Sequence, residues 1–215
     1  MKFYDSFGMN PRMVRFFMEE KGLEIERQEV DILGGECRQP EYLRRNPAGQ
    51  TPMLELDDGT AICETLAICE YLEEVYPQPA LIGATPEERA VARMWWRRAE
   101  IHICWPMIQG FYGAEGYELF KDRTYCLKDA AAALKEKAQQ GMVWLDRLMG
   151  ERRWLSGDRF TMGDICLYTY IDLLRGTGQD IPAECQSLRA WFNNVGSRPA
   201  AAASIWRDQP MGLTG

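Results

Sequence analysis

Hydrophobic and polar residues follow an order typical of a small α/β domain over the first third of the chain. Lys2 to Asp5 alternates in the manner of a short strand, and Pro11 to Lys21 carries its hydrophobic residues at helical spacing. Glu24 to Ile32 alternates again, and Pro40 to Arg45 is a short helical stretch ended by Asn46-Pro47. The pattern predicts a strand, a helix, a second strand and a second helix.

A hairpin and a third helix complete this predicted domain. Met53 to Leu56 predicts a strand, Asp57-Asp58-Gly59 is a turn signal, and Thr60 to Cys63 predicts the returning strand. Glu64 opens the helix that follows. The predicted order is βαβαββα, which assigns residues 1–78 to one α/β domain.

Local signals indicate where the first helix begins and ends. Pro11 suits a first helical turn, because its missing N–H would have no partner within the helix. Gly22 suits the exit from the helix. Asn10 is therefore expected near the N-cap position.

The rest of the chain predicts a helical domain behind a linker. Residues 79–86 belong to a proline-rich stretch that has neither strand nor helix periodicity. Residues 87–215 are predicted to form an all-α domain, in which Thr161 and Asp164 resemble a capping box at a helix start. Its helical patterns cover Glu87 to Met107, Arg123 to Leu148, Met162 to Arg175 and Leu188 to Gly196.

An excess of acidic residues narrows the range of expected partners. The 215 residues contain 25 Lys and Arg against 32 Asp and Glu, which gives a formal net charge of -7. This charge disfavours nucleic acid and anionic membrane surfaces. The chain also lacks an apolar run of the roughly 18 residues that a membrane-spanning helix needs, and its start lacks the apolar stretch of a secretory signal. We therefore expect a cytoplasmic protein that binds neither nucleic acid nor membranes.

The cysteines and the single histidine disfavour several catalytic classes. Seven cysteines are scattered without a Cys-x-x-Cys pair, and His102 is the only histidine. A zinc site needs clustered Cys and His ligands, and a Ser-His-Asp triad needs a well-placed base. We therefore expect no metal site, and we expect the cysteines to be reduced structural thiols.

A stretch in the first third of the chain carries a family resemblance. Residues 46–52 have the sequence Asn-Pro-Ala-Gly-Gln-Thr-Pro, and Glu64-Thr65 follow the predicted hairpin at a helix start. This arrangement resembles the glutathione-binding signature of the glutathione transferase family. The resemblance extends over nearly the whole chain, through residues 36–43, 53–63, 157–164 and 188–192.

The family resemblance implies a fold, a co-substrate and an activity. It implies a thioredoxin-like N-terminal domain, a helical C-terminal domain, glutathione as co-substrate and usually a homodimer. The chain resembles cytosolic, bacterial-type members of the family, and it is atypical because it lacks an obvious catalytic Tyr, Ser or Cys. The implied reaction is attack of the glutathione thiolate on a hydrophobic electrophile, with detoxification or a catabolic step left open as its purpose.

The resemblance also implies how most of the glutathione molecule is held. The peptide bond before Pro52 is expected to be cis, which exposes the backbone of Thr51 for pairing with the cysteinyl unit. The helix start at Glu64 and Thr65 offers N–H donors to the γ-glutamyl carboxylate, while the Glu64 carboxylate pairs with the ammonium group. Without the motif, Pro52 would simply begin an edge strand and Glu64 would favour the helix dipole.

The glycine carboxylate of glutathione is assigned to two further side chains. Gln50, next to the expected cis bond, is one candidate, and Arg38 is the other. An arginine of this kind is more often a solvated surface cation, and relatives often place a histidine near Cys37 instead. The role of Arg38 therefore stays open.

The group that stabilises the thiolate is sought in the loop after the first strand. A free thiol has a pKa near about 8.5, and the thiolate is the nucleophile, so the site must lower that pKa. Relatives often use Tyr, Ser or Cys, whereas this loop has Met9 or Asn10 at the expected position and Ser6 slightly earlier. Asn10 is the first candidate because its side-chain N–H can donate to a sulfur anion beside a helix start, and Ser6 is the second. A plain N-cap role for Asn10 and a thiolate held through water stay open.

A hydrophobic co-substrate is expected between Phe7 and one face of the long helix of the second domain. The residues expected on that face are His102, Trp105, Ile108 and Tyr112. An aromatic stripe on a helix is more often core than pocket, so core packing is the alternative for these side chains.

Three rival functions are left open by the residues. One is a glutathione-dependent disulfide reductase, since relatives with an asparagine in this loop can have that activity. Another is a non-catalytic, glutathione-binding interaction protein. A third is redox catalysis by a protein cysteine, for which Cys37 is the only thiol expected near the ligand.

Overall fold

Four short strands form a mixed sheet in the computed structural model, which describes residues 1–206. The strands are β1 (Lys2–Asp5), β2 (Glu26–Glu29), β3 (Met53–Glu55) and β4 (Ala61–Cys63). Their order in the sheet is β2-β1-β3-β4. Strand β1 is parallel to β2 and antiparallel to β3, while β3 and β4 form the predicted hairpin.

Three helices complete the order that the sequence predicts. They are α1 (Met9–Lys21), α2 (Pro40–Arg45) and α3 (Thr65–Val75). The predicted βαβαββα fold is therefore confirmed. Its core consists of apolar side chains from the sheet, α1 and α3. Those without exposed surface include Phe3, Val14, Phe17, Met53, Ile68 and Leu72.

The first helix begins earlier than predicted. The N-cap residue is Gly8, whose φ of 115° is a conformation that glycine adopts without strain. Asn10 is therefore the second residue of the helix, so its expected position near the N-cap is wrong by two residues. The exit is as predicted, because Gly22 has a left-handed φ of 64° and its N–H bonds back to Glu19.

The described residues divide into two compact units. The first unit contains Met1–Leu81 and the segment that begins at Pro199, and the second contains Ile82–Arg198. Residues 76–85 contain no regular helix or strand in the described structure, as expected of a linker. Lys21 holds the beginning of this linker, because the Lys21 ammonium group donates to the carbonyl oxygens of Tyr76 and Pro79, each at 2.7 Å.

The division of the chain differs from the predicted one at its C-terminal end. A short helix, α10 (Pro199–Ala203), belongs to the first unit although the sequence pattern places it in the helical domain. The buried side chains of Arg12 and Arg15 on α1 bind this segment through Ser204. Long-range contacts of this kind leave no periodic signal in the sequence. The last part of the predicted second domain, residues 207–215, lies outside the described residues.

The second unit is helical, as predicted. Its helices are α4 (Pro86–Ala99), a π-helical segment (Glu100–Cys104), α5 (Trp105–Gly113), α6 (Tyr117–Phe120), α7 (Ala131–Met149), α8 (Met162–Leu174) and α9 (Gln186–Gly196). No helix among the described residues is long and apolar enough to cross a membrane.

Two of the predicted helical segments have different limits in the structure. The segment predicted to end at Met107 continues to Gly113 through the π-helical segment, where the Trp105 N–H bonds to Glu100. Pro106 lacks the N–H that would bond to His102 in a regular α-helix, and the π-helical turn accommodates it. The helix predicted from Arg123 begins instead at Ala131, after a 3₁₀ turn.

The predicted capping pair at the start of α8 is present. Asp164 has no exposed surface, and its Oδ2 accepts the Thr161 N–H at 2.9 Å and the Thr161 hydroxyl at 3.2 Å. Its Oδ1 accepts the Leu155 N–H at 2.9 Å and the Trp191 indole N–H at 2.8 Å. The carboxylate thus connects the start of α8 to α9, and burial raises its pKa to about 6 although all four donors oppose that rise.

Candidate functional site

Three backbone segments of the first unit meet at one end of the sheet. They are the loop after β1, the loop before β3 and the start of α3. The hydroxyl oxygens of Ser6 and Thr51 lie 2.5 Å apart, which joins the first two segments. The Thr65 hydroxyl donates to the carbonyl oxygen of Asn10 at 3.4 Å, which joins α3 to the start of α1. Four of the predicted site residues are therefore brought together.

The loop of residues 46–52 is fixed by side chains beneath it. Asn46 is buried, and its side-chain N–H donates to the carbonyl oxygen of Gln50 at 2.7 Å. Its side-chain oxygen accepts the Ala48 N–H at 3.2 Å. The Tyr42 hydroxyl also donates to the Gln50 carbonyl oxygen, at 2.7 Å. The backbone of Gln50 is thus held from the interior while its side chain is exposed.

The next peptide bond in this loop, between Thr51 and Pro52, is cis, as the resemblance implies. Pro52 is buried and Thr51 is half-buried. Strand β3 begins directly afterwards, at Met53. The loop therefore leads straight into the sheet.

Arg38 lies beside this loop. Gly49 has a φ of 60°, and a β-carbon there would lie 3.0 Å from Arg38 Nη1 and 3.0 Å from the carbonyl oxygen of Cys37. The guanidinium group thus reaches the residue next to Gln50, and Arg38 is exposed. Cys37 is buried in the core beside Tyr42.

Glu64 has an unusual backbone at the start of α3. Its φ is 72°, and it is the one residue other than glycine with a positive φ within residues 1–206. Such a conformation costs an L-residue on the order of 1–3 kcal/mol, so it persists only where the surroundings impose it. The side chain is exposed at the helix N-terminus, where the first N–H groups lack partners within the helix. Anions are favoured at such a position.

Ser6 and Asn10 differ in accessibility. Ser6 is 1% exposed, and besides Thr51 its hydroxyl contacts the carbonyl oxygen of Phe7 at 3.2 Å. Asn10 is half-buried in the first turn of α1, and Phe7 is half-buried in the loop before it. The capping role that was the alternative for Asn10 is occupied by Gly8.

The residues predicted for the co-substrate have different environments within the second unit. Trp105 is 49% exposed, whereas Ile108 is buried in the core. Tyr112 packs against Phe120 with ring centroids 4.2 Å apart, and burial raises the pKa of its hydroxyl to about 12. His102 is exposed, and its ring lies 4.8 Å from that of Trp144.

The sequence analysis assigned no supporting role to the residues beneath the site, although Asn46 belongs to the motif of residues 46–52. Tyr42 and Asn46 fix the loop through hydrogen bonds to a backbone oxygen, which no periodicity reveals. Asp5 and Arg15 form a buried ion pair behind Ser6. One available signal is the position of Arg15, a charged residue within the hydrophobic stretch of α1.

The described residues contain neither a cluster of metal ligands nor a disulfide bond. Within residues 1–206, no group of three or more His, Cys, Asp or Glu side chains is arranged to hold a metal ion. None of the seven cysteines, all of which lie within residues 1–206, forms a disulfide bond, and the Sγ atoms of Cys104 and Cys166 lie 3.9 Å apart in the interior of the second unit.

Known proteins are similar to this chain in both sequence and fold. The model of the glutathione S-transferase N-terminal domain matches residues 9–75, and that of the C-terminal domain matches residues 128–194. Glutathione S-transferase 2 of Saccharomyces cerevisiae is 33% identical over 93% of this chain and 87% of its own length. Maleylacetoacetate isomerase of Pseudomonas aeruginosa is 33% identical over 78% of each chain.

A solved structure extends this similarity to three dimensions. The crystal structure of a glutathione S-transferase domain-containing protein from Marinobacter aquaeolei superimposes with a TM-score of 0.88 and 38% identity. The superposition covers 93% of this chain and 99% of that chain. Identity above 30% over most of both chains, together with the matches to both domain models, decides the assignment. The chain therefore belongs to the glutathione S-transferase family of enzymes.

Proposed function

We propose that this enzyme binds glutathione in its first unit, lowers the pKa of the thiol and directs the thiolate to a hydrophobic electrophile. The observation that carries this proposal is the meeting of three segments at one end of the sheet. Ser6 contacts Thr51, and Thr65 contacts Asn10, so polar groups suited to each part of glutathione lie within one region.

The two ends of the γ-glutamyl group are assigned to Glu64 and Thr65. The carboxylate of glutathione accepts N–H groups at the start of α3, while the Glu64 carboxylate pairs with the ammonium group. The positive φ of Glu64 supports this role, because an imposed and costly backbone conformation is more common at ligand sites than elsewhere. A zwitterion is thereby matched at both ends.

The remainder of glutathione is assigned to the loop before β3. The backbone of Thr51, next to Pro52, pairs with the cysteinyl unit, and Gln50 binds the glycine carboxylate. The position of the Arg38 guanidinium group beside Gly49 supports a second, charged contact to that carboxylate.

The thiolate is assigned to the start of α1. Asn10 donates a side-chain N–H to the sulfur, and the first turn of the helix adds the positive end of its dipole. Ser6 is buried and its hydroxyl already contacts Thr51 and the Phe7 carbonyl oxygen. We therefore give Ser6 the role of holding Thr51 and keep Asn10 as the first candidate for the sulfur contact.

The reaction then needs no protein nucleophile. The thiol proton leaves to solvent, the sulfur forms a bond to an electrophilic carbon, and the leaving group or carbanion takes the displaced electron pair. No cysteine lies in residues 6–10, which favours chemistry at the thiol of glutathione over chemistry at a protein thiol. The side chains that we assign to the hydrophobic co-substrate are Phe7, Trp105 and Tyr112, and we assign the buried Ile108 to the core instead. A homodimer in the cytoplasm, acting in detoxification, is part of the same proposal.

Thiolate absorbance in the ultraviolet tests the proposal. We would titrate the glutathione complex with pH for the wild type, Asn10→Ala and Ser6→Ala, and measure the affinity for S-methylglutathione, which cannot ionise. We expect the wild type to lower the thiol pKa from about 8.5 by one unit or more, and Asn10→Ala to reverse most of this shift at unchanged affinity.

The alternatives predict other outcomes of this titration. An unshifted thiol pKa in the wild type would remove the proposed mechanism. Rapid reduction of a small disulfide with feeble conjugation would favour the reductase activity instead. Sedimentation at micromolar concentration tests the dimer, which a single monomeric species would exclude.

A further inference from the structure

A buried ion pair holds the loop between β1 and α1. Arg15 and Asp5 are each 2% exposed, and Arg15 Nη1 lies 2.5 Å from Asp5 Oδ1. The same Nη1 donates to the carbonyl oxygen of Ser6 at 2.9 Å. The Ser6 N–H donates to Asp5 Oδ1 at 2.9 Å. One charge pair therefore fixes the backbone of Ser6 on both sides.

Burial makes this ion pair expensive. It raises the pKa of Asp5 and lowers the pKa of Arg15, in spite of the attraction between the two charges. Arg15 Nη2 is buried as well, and it has no hydrogen-bond partner within the part of the chain that the structure describes. Hydrophobic replacements of buried ion pairs are often neutral or stabilising. A required geometry is therefore a second reason, besides stability, for such a pair.

The geometry that the pair imposes extends to the proposed glutathione site. Ser6 is the residue whose hydroxyl lies 2.5 Å from Thr51 Oγ1. Thr51 is the residue whose backbone we assign to the cysteinyl unit, which carries the thiol. A shift of Ser6 would therefore displace Thr51 and the loop that leads into α1, while the Gln50 backbone stays held by Tyr42 and Asn46.

Arg15 is itself anchored on its other side. It lies on α1, five residues after Asn10, and its Nε donates to the Ser204 carbonyl oxygen at 2.9 Å. Its guanidinium carbon lies 5.1 Å from the centre of the Trp206 ring. The side chain thus bridges α1, the end of β1 and the C-terminal segment, and three anchors leave it little freedom.

We propose that Arg15 is a positioning residue for the glutathione thiolate, acting through Asp5 and Ser6. It touches neither glutathione nor the electrophile. It fixes the loop of residues 5–8, and with it the distance between the start of α1 and the cysteinyl unit held by Thr51. This inference rests on the proposed function, and it adds that ionisation of the thiol depends on a buried group behind the site.

Two conservative variants of the full-length protein test the role. Arg15→Lys keeps a positive charge, but a single ammonium group cannot reach Asp5, the Ser6 carbonyl oxygen and the Ser204 carbonyl oxygen at once. Asp5→Asn keeps an oxygen acceptor for the Ser6 N–H and removes the charge. Measuring both variants guards against a folding defect in one of them.

A second buried ion pair in the same unit provides the matched control. Lys21 Nζ lies 2.6 Å from Glu73 Oε2, and the two side chains are 0% and 1% exposed. It holds the linker rather than the loop after β1. Glu73→Gln should therefore lower the free energy of unfolding without changing the thiol pKa of bound glutathione.

The readouts are the thiol pKa of bound glutathione and the dissociation constant of S-methylglutathione. We expect Arg15→Lys and Asp5→Asn each to raise the thiol pKa by about half a unit to one unit, a roughly three- to tenfold smaller thiolate-to-thiol ratio. S-methylglutathione affinity should stay within about twofold of wild type, because its ends are held by α3 and Gln50. Glu73→Gln should leave the thiol pKa unchanged.

Other outcomes separate this inference from the proposed function. If the wild type lowers the thiol pKa and both loop variants keep that value, Arg15 has no positioning role and the proposed function stands. If the loop variants and Glu73→Gln weaken S-methylglutathione binding equally, Arg15 serves the fold alone. If the wild type leaves the thiol pKa at its free value, the proposed function fails and the positioning role fails with it.

Discussion

Gly141 on α7 approaches His102 so closely that a β-carbon at residue 141 would overlap the carbonyl oxygen of His102. That oxygen lies in the π-helical segment, where Pro106 offers no N–H to it. A hydrogen on Cα is all that fits between α7 and this segment. The glycine therefore allows α7 to pack closely against the irregular helix that carries Trp105.

Gly141→Ala should destabilise the second unit. Alanine gains about 1 kcal/mol of helix propensity over glycine, but overlap with backbone atoms forces the helices apart. We expect a net loss of about 1 to 3 kcal/mol in the free energy of unfolding, measured by urea denaturation.

Gly110→Ala is the matched control for this prediction. A β-carbon at Gly110 would lie 2.7 Å from Cγ of Lys135 and 3.2 Å from the carbonyl oxygen of Ala131, which is a milder overlap with backbone atoms than at Gly141. Its loss should stay below about 1 kcal/mol, because the gain in helix propensity offsets the milder overlap. Equal losses in the two variants would show that the contact with His102 has no special weight.

The contact between Ser6 and Thr51 should contribute both to stability and to the ionisation of bound glutathione. In a double-mutant cycle of Ser6→Ala and Thr51→Val, we expect a coupling energy of about 0.5 to 1.5 kcal/mol in urea denaturation. Thr51→Val should also raise the thiol pKa of bound glutathione, since the loop loses its tie to β1. Thr60→Val, at an exposed position in the hairpin, should leave the thiol pKa of bound glutathione unchanged. A coupling energy near zero would contradict the structural role given to this contact.

Local sequence signals predicted much of the first unit. Helix α2 has the predicted bounds, and the turn at Asp57-Asp58-Gly59 joins β3 to β4 as expected. These elements depend on neighbours in sequence, such as the proline at the start of α2 and the Asp-Gly turn. The motif of residues 46–52 likewise located the loop that meets Ser6.

Long-range contacts account for what the sequence did not predict. The first unit includes α10 because Arg12 donates to the Ala201 carbonyl oxygen and the Ser204 hydroxyl, and Arg15 donates to the Ser204 carbonyl oxygen. The tertiary fold determines which residue a buried arginine binds, so the hydrophobic periodicity of the sequence does not predict it. The positive φ of Glu64, at the junction of β4 and α3, also left no signal in the sequence.

Two substitutions at Glu64 should separate backbone strain from ligand binding. Glu64→Gly and Glu64→Ala both remove the carboxylate, so both should abolish glutathione binding in calorimetry. Glycine adopts a φ of 72° without strain, whereas alanine does not. Glu64→Gly should therefore exceed Glu64→Ala by about 1 kcal/mol in the free energy of unfolding.

The same pair of substitutions at Glu41 gives the opposite sign. Glu41 is an exposed acid in the first turn of α2, in a regular helical conformation. There, glycine should be less stable than alanine by up to about 1 kcal/mol. If glycine is the less stable residue at both positions, the strain assigned to Glu64 is absent in solution.

The buried carboxyl group of Asp164 should give the protein a measurable pH dependence of stability. Its pKa is raised to about 6 in the folded chain, and an unfolded aspartate has a pKa of about 3.9. Between these values the folded chain holds a proton that the unfolded chain has released. The contribution of Asp164 to the free energy of unfolding is therefore largest below about pH 4, and it falls by about 2 to 3 kcal/mol as the pH rises to about 6.

The comparison of wild type with Asp164→Asn isolates this contribution, because the amide does not titrate. We expect the difference between their unfolding free energies to change with pH between about 4 and 6 and to be flat above that window. Trp191→Phe removes a donor at 2.8 Å that favours the charged form, so it should extend the window to higher pH. Asp129→Asn, at an exposed position, should leave the profile as in the wild type. If the difference is instead flat from pH 4 to 6, Asp164 is ionised throughout, and its four donors outweigh the cost of burial.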